Sequence, residues 1–532
     1  MTKRSPRARR PAPVPQWSHA FFERFRMTAT PPTAAAPPAP SFTRRAGLWA
    51  AIAVLLAVSF MPPLPGLPHA GQVMLGILAF AVILWMTEAL DYAVSAVVIG
   101  ALMIVLLALS PAPGQEAAGT VMGTRAALPY ALSGFSNSAV VLVAAACFIA
   151  SAMTATQLDR RIALQVLAHV PARAKHVAMG AILVGFLLSF IVPSATARVA
   201  CLMPIMLGFL TAFGADRRSK FAALVVITAA QTASVWNVGI KTAAAQNMVA
   251  VGFIEKQFGQ TITWGEWFVA GAPFSAVLTV LLYFIMTRML RPEMDYIAGG
   301  REAIRQQLDA LGPTTPKQWK LLAITVVLLG FWATEGVLHD VDTTSSTIVA
   351  IALMLVPRIG VMDWKESQKG FPWGTVLLFA VGIAMGSALL KTEAAPWLAR
   401  LIVEHLGLAN ATAFAIFMLL SLFLIVIHLG FASATGLAST MIPIIISVLQ
   451  AVQTPGINPI GMTMLLQFVV SFGFILPVNS PQGMLAYGTD TFDIKDYIRT
   501  GLVLTAAATA LLVVFALTYW PWMGYMTLPA AG

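Results

Sequence analysis

Ser194-Ala-Thr-Ala-Arg-Val-Ala-Cys-Leu-Met-Pro204-Ile205 returns later in the chain as Ser433-Ala-Thr-Gly-Leu-Ala-Ser-Thr-Met-Ile-Pro443-Ile444. Each copy reads Ser-Ala-Thr, seven residues, then Pro-Ile, and each lies inside a long apolar stretch. Other phrases recur at a similar offset. Trp85-Met-Thr-Glu88 answers Trp332-Ala-Thr-Glu335, and Ser151-Ala-Met-Thr-Ala-Thr156 answers Ser387-Ala-Leu-Leu-Lys-Thr392. A duplicated apolar chain, interrupted at matching places, is the sequence signature of a secondary transporter, and its broken segments point at the binding site.

Composition agrees. The 532 residues are 58% hydrophobic and 10% charged, with a mean hydropathy of +0.81, whereas soluble domains are about a quarter charged. Several apolar runs reach the ~20 residues that cross ~30 Å of hydrocarbon. The net charge of +11 is concentrated at the start: nine bases stand against Glu23 alone in residues 1–45. That Pro/Ala-rich tail is expected to be disordered and cytoplasmic, as a topology anchor or a contact for anionic lipid. Nothing points to a nucleic-acid partner. The two cysteines, Cys147 and Cys201, both lie in apolar runs, so a disulfide framework is not expected.

Charge placement threads the chain through the bilayer. Residues 46–61 cross outward, 72–90 return, 93–110 go out, and 138–157 come back after an outer loop at 111–136. Residues 178–213 are apolar, yet basic loops flank them on both sides, at 159–175 and at Asp216-Arg-Arg-Ser-Lys220. A single span cannot keep both loops in the cytoplasm. A re-entrant hairpin can, with arms of roughly 179–192 and 197–213, the first rising only about 20 Å at ~1.5 Å per residue. Its tip is Pro193-Ser-Ala-Thr196.

A broken helix at 221–253 follows, and 266–288 returns to a charged linker at 291–320. The second half repeats the order with crossings at 321–338, 344–357 and 373–391, a hairpin at 411–450 entering from the outer side, a broken helix at 461–487 and an exit at 500–520. The expectation is an all-α polytopic membrane protein with inverted repeats at 46–290 and 321–525, eleven crossings and two re-entrant hairpins. The N-terminus is then cytoplasmic and the C-terminus outside.

Backbone that leaves helical geometry inside a membrane must be satisfied by protein, water or ligand. Half-helix N-termini suit carboxylates, and exposed carbonyls suit small cations. Ser194, Thr196, Ser433 and Thr435 add hydroxyls at the two tips, where they either bind an anion or only cap the hairpin helices. Between Ser234 and Asn247 the candidate substrate contacts are Lys241, Thr242 and Asn247. Lys241 needs a partner near mid-membrane: the substrate, a replaced cation's ligands, an ion pair elsewhere, or an interface to which it snorkels. Arg198 either clamps a carboxylate or meets lipid phosphate. Glu88 and Glu335 are expected to cap or pair at helix ends, and Gly382-x-x-x-Gly386 to pack closely.

These residues resemble the divalent-anion/sodium symporter family, especially its citrate and oxoglutarate/malate-like branch, over about residues 46–525. The resemblance rests on both hairpin motifs, on Trp-x-Thr-Glu, and on Leu476-Pro-Val-Asn-Ser-Pro481. It implies a homodimer in the bacterial inner membrane that moves di- or tricarboxylates by an elevator motion, often with sodium, and needs no other cofactor. By motif position it places Ser194, Thr196, Ser433, Thr435 and Ser480 at the substrate, with Asn479 and Pro481 beside a cation. It also places Ser194, Ala195, Ala243 and Ala434 at cation sites, but Ala195 and Ala434 stand where the family has Asn. Each change removes a side-chain oxygen of the kind a hard cation requires. A fixed ammonium at Lys241 would then favour anion exchange or proton coupling.

Other classes fare worse. The chain has neither a His-Glu-x-x-His zinc motif nor a Gly-x-Ser-x-Gly elbow, as expected of a protein that is not an enzyme. The remaining alternatives are a carrier of sulfate or another dianion, a channel, or a sensor.

Overall fold

In hydrocarbon a segment has to satisfy its own backbone polar groups, and this chain does so with helices. The computed structural model describes residues 42–115, 119–171, 173–212, 216–293, 300–369, 371–452 and 454–527. Among the described residues the only β-pairing is in isolated bridges such as Pro111 with Val121. Most of the expected tail lies outside the described residues. Its last residues already belong to the helix Phe42–Phe60, in which Arg44 pairs with Glu88 at 3.0 Å.

Every expected crossing has its helix. Among the described residues eight helices are long and apolar enough to span a membrane, and shorter apolar ones such as Tyr92–Ala108 and Thr343–Leu355 accompany them. The order repeats: His69–Thr87, Tyr92–Ala108 and Ser138–Thr156 are followed later by Pro316–Thr334, Thr343–Leu355 and Trp373–Lys391. The tryptophan of the repeated Trp-x-Thr-Glu phrase does the same work twice, while the glutamates differ. The Trp85 indole donates to Ser95 Oγ at 3.0 Å and the Trp332 indole to Thr347 Oγ1 at 3.2 Å. Glu335 accepts from the Thr343 hydroxyl at 2.5 Å and from its amide at 3.2 Å, capping the next helix.

Three expected loops contain helices. Within 111–136, Gly123–Leu132 is helical, and a Cβ on Gly134 would lie 1.8 Å from Ala380 O, so only glycine lets that turn sit on the long helix Trp373–Lys391. Within 159–175 lies Leu158–Ala168, matched in the second half by Ala394–His405. Both amphipathic helices start after a sharp bend at a left-handed residue, Gln157 (φ 56°) and Glu393 (φ 61°). Their charges hide them from a search for apolar runs. Arg161 is buried, donating to Gln318 Oε1 at 2.9 Å and Gly312 O at 2.8 Å, which ties this helix to the linker. The linker itself carries the helix Gly300–Ala310.

The hairpins are Ala174–Ile191 with Ala195–Ala212, and Ala413–His428 with Ala434–Ala451. The first arm starts about five residues before the expected boundary, because Lys175 and His176 continue the helix. The broken helices are Lys220–Gly239 with Ala245–Phe258, and Pro459–Val470 with Pro481–Tyr487, each interrupted by one 3₁₀ turn. Gly382 and Gly386 pack as expected: a Cβ on Gly386 would lie 2.3 Å from the Phe253 ring and 2.5 Å from Pro443.

Candidate functional site

The two hairpin tips and the two helix breaks meet around one cavity of about 770 Å³. Ser194, Ala195, Thr196, Ser433, Ala434 and Thr435 all line it. So do Thr242, Ser480 and Pro481, together with the glutamines Gln246 and Gln482. Three full-length helices, Ala195–Ala212, Ala245–Phe258 and Ala434–Ala451, begin at residues that line this space. Their free amide ends and positive dipole poles converge there.

The tip serines make the cap bonds weighed for them. Ser194 Oγ accepts from Ala197 N at 3.2 Å, Ser433 Oγ from Gly436 N at 3.3 Å, and Ser480 Oγ from Gly483 N at 3.2 Å. These are cap bonds. A serine that accepts a cap bond still has its own O–H to donate, so each remains able to bind an anion.

The glutamines cross-link the halves. Gln246 donates to Ser471 Oγ at 3.3 Å and Gln482 to Ser234 Oγ at 3.0 Å, each reaching into the other repeat's broken helix. Their alignment at an offset of 236 residues was visible in the sequence; the cross-link was not. Sequence reasoning also missed the opposite wall, where Ser151 and Thr154 line the cavity from the helix Ser138–Thr156. Their three-residue spacing on one face of an apolar helix was the available signal. The charged residues lining the cavity are Glu366 and Lys369, and the exposure of Lys369 marks this end as the mouth.

Three candidate contacts point elsewhere. Lys241 is buried in the first break, but its ammonium donates to Ile262 O at 2.6 Å and does not line the cavity. In a 3₁₀ turn the helical period is lost, so sequence could not give its direction. Asn247 uses its amide to tie down Asn237 O at 2.7 Å, Ile240 O at 3.2 Å and Lys241 O at 3.3 Å. It secures the break and does not face the cavity.

Arg198 corrects both earlier alternatives, because it touches neither the cavity surface nor a lipid face. It is fully buried and donates to Val192 O and Ala243 O, both at 2.9 Å, to Ala233 O at 3.2 Å and to Asn237 Oδ1 at 2.7 Å. Helix side chains lean toward the N-terminus, so an arginine one turn past the tip folds back over it.

The cation candidates divide in the same way. Ser194, Ala195, Ala434 and Pro481 line the cavity. The Ala243 carbonyl is instead taken by Arg198, and Asn479 donates to three carbonyls, His428 O at 2.9 Å, Leu429 O at 3.3 Å and Phe431 O at 3.0 Å. Val192 and Phe431 occupy matching places two residues before the two tips, and Ala243 and Asn479 match at the two breaks. Each tip is therefore strapped to its break, in the first half by Arg198 and in the second by Asn479. Among the described residues no three His, Cys, Asp or Glu side chains cluster to hold a metal.

Comparison with known proteins agrees with this fold. The family profile described as sodium:sulfate symporter transmembrane region matches residues 43–526. A membrane protein of Cupriavidus necator is 50% identical over 490 residues, covering 92% of this chain and 95% of its own. A citrate/succinate antiporter of Escherichia coli K12 is 24% identical, covering 74% of this chain and 80% of its own. The sodium-dependent dicarboxylate transporter SdcS of Staphylococcus aureus is 25% identical, covering 87% and 88%. Among solved structures, the Alcanivorax borkumensis YdaH transporter superposes with a TM-score of 0.51 at 15% identity, covering 85% of this chain and 99% of that one. The chain belongs to the sodium:sulfate symporter family of divalent-anion transporters, and is a multi-pass membrane carrier, not an enzyme.

Proposed function

We propose that this protein carries di- and tricarboxylate anions across the bacterial inner membrane by an elevator-type alternating-access mechanism, coupled to sodium or to the return of a second anion. The observation that carries the reading is the single cavity at which both Ser-Ala-Thr tips and Ser480 meet. Hydroxyls and helix ends there recognise carboxylates, with the charged lining residues Glu366 and Lys369 standing at the mouth. A volume of about 770 Å³ lies in the range of organic-ligand pockets and far exceeds what sulfate needs, which favours an organic substrate. The two named relatives, an antiporter of citrate and succinate and a sodium-dependent dicarboxylate transporter, support the same class and span both coupling modes.

The repeats at 46–290 and 321–525, joined by the linker 291–320, would each supply a hairpin (178–213, 411–450) and a broken helix (221–253, 461–487) to the moving body of a homodimer. Loop contacts support the orientation. Arg217 donates to Thr489 O, Arg218 pairs with Asp490 and Arg161 holds Gly312 O, all between loops read as cytoplasmic. Asn458 N donates to Met526 O and Trp264 N to Glu335, all between segments read as external.

The test is uptake of labelled succinate and citrate into proteoliposomes of the full chain. It would be run with an inward sodium gradient, with internal dicarboxylate, and with neither, using sulfate as competitor. Saturable uptake driven by one of the first two conditions is expected. Non-saturating flux under all three would mean a channel, and uptake blocked only by sulfate would mean an inorganic-anion carrier.

A further inference from the structure

Each helix break carries a cavity-lining hydroxyl, and each hydroxyl has an aromatic donor behind it. In the first break Thr242 Oγ1 accepts from the buried Trp264 indole N–H at 3.2 Å. In the second, Ser480 Oγ accepts from Gly483 N at 3.2 Å, and the fully buried Tyr497 hydroxyl, which makes no hydrogen bond, stands beside it. A Cβ on Gly483 would lie 2.9 Å from Tyr497 Oη and 3.0 Å from Ser480 Oγ, so both oxygens close on that one glycine.

Both aromatics come from the helix that follows the broken one, Trp264–Met289 and Ile494–Leu517. Stacking fixes their rings, Trp264 on Phe268 at 5.1 Å and Tyr497 on Phe492 at 5.7 Å between centroids. At the offset of 236 residues Thr242 falls opposite Val478 and Ser480 opposite Ala244. The hydroxyl has changed place between the halves, and so has the aromatic: Trp264 falls opposite Thr500 and Tyr497 opposite Thr261.

A hydroxyl has one proton to give and two lone pairs to offer. An indole N–H can only donate, so it occupies a lone pair of Thr242 and leaves the proton for another partner. Thr232 and Ser189 nearby spend their protons on a carbonyl one turn back. Among the described residues Thr242 and Ser480 only accept, which leaves their protons for the cavity they line. A carbonyl in place of the aromatic would take the proton and turn lone pairs, which repel a carboxylate, on the cavity.

We infer that Trp264 and Tyr497 are positioning residues for the substrate, each feeding a donor into the hydroxyl before it so that Thr242 and Ser480 meet the anion as hydrogen-bond donors. Neither aromatic lines the cavity itself. The inference rests on the anion-carrier reading, which the wild type tests separately.

The experiment is uptake of labelled succinate or citrate, whichever wild type carries, into proteoliposomes of full-length Trp264→Phe and Tyr497→Phe. Both variants keep a ring in place and remove the donor. Each should raise KM about tenfold, with Vmax within about twofold and the thermal midpoint of unliganded Tyr497→Phe unmoved. Added to Thr242→Val, Trp264→Phe should raise KM no further, and Tyr497→Phe should add nothing to Ser480→Ala, because each pair acts as one unit. If Trp264→Phe cannot be recovered, Tyr497→Phe, which preserves the ring's shape, decides by the same readouts.

An unchanged KM in either folded variant overturns the inference. So does a KM increase that is as large without the partner hydroxyl as with it, since the aromatic would then act by packing alone. Wild type that carries neither succinate nor citrate sinks the carboxylate reading and this inference with it, a failure seen in the wild type and not in the variants.

Discussion

Asn479→Ala isolates the strap at the second tip. Its Nδ2 carries two hydrogens and serves three carbonyls, at His428, Leu429 and Phe431. All belong to the turn that presents Ser433 and Thr435, and Asn479 itself is 2% exposed. A net hydrogen bond is worth about 0.5–1.5 kcal/mol, and an orphaned buried acceptor costs about 1–3 kcal/mol. His428 O keeps its bond from Phe431 N at 3.0 Å, so the loss falls on Leu429 O and Phe431 O, and local opening of the tip becomes easier by about 2–4 kcal/mol. At about 1.4 kcal/mol per factor of ten, the amides of residues 430–437 should exchange hydrogen roughly 30-fold to several hundred-fold faster. Exchange over the first tip, 192–198, should stay unchanged. Hydrogen exchange read by mass spectrometry on the detergent-solubilised protein measures both peptides at once. A change below threefold at the second tip would falsify the strap, and equal acceleration at both tips would show general loosening. Transport should show a raised KM with normal expression.

Three further outcomes follow from the geometry. Paired Ser194→Ala and Ser433→Ala should cut dicarboxylate transport more than tenfold while expression holds; undiminished transport would mean the hydroxyls only cap. Lys241→Met should leave the substrate KM within about threefold, because the ammonium is bonded to Ile262 O outside the cavity, and should lower thermal stability by the loss of one charge-assisted bond, about 1.5–3 kcal/mol; a lost exchange activity in a folded variant would return Lys241 to the substrate. Gly386→Leu should destabilise by overpacking, about 1–3 kcal/mol or more, since even a Cβ meets Phe253 and Pro443; a variant with an unshifted thermal midpoint would show that those two helices separate there.

The straps also explain how two halves with different residues keep one geometry. The task is the same at both tips: to hold the carbonyl two residues before Ser-Ala-Thr against the helix break. In the first half the donor comes from the hairpin, at Arg198, and reaches the break at Ala243 O. In the second it comes from the break, at Asn479, and reaches the hairpin at Phe431 O. A comparison residue by residue finds Arg198 opposite Leu437 and Asn479 opposite Ala243, so the shared function is not visible in the alignment.

Local chemistry made much of this protein legible from its sequence. Apolar length set the crossings, basic loops made 178–213 a hairpin, and the repeated Ser-Ala-Thr marked both tips, because hydrocarbon penalises every unsatisfied backbone group and every stray charge. The amphipathic helices Leu158–Ala168 and Ala394–His405 escaped that reading, since polar faces break the apolar run that reveals a span. What only the tertiary structure decided is where the long polar side chains go. Lys241, Asn247 and Arg198 are all buried polar residues beside the cavity, and sequence could only say that each needs a partner. The partners are carbonyls at Ile262, at Asn237 and at Ala243, up to 45 residues distant in the chain. No local periodicity encodes such a distance. It is set when the hairpin closes on the broken helix and the donors reach whichever orphaned oxygens are nearest.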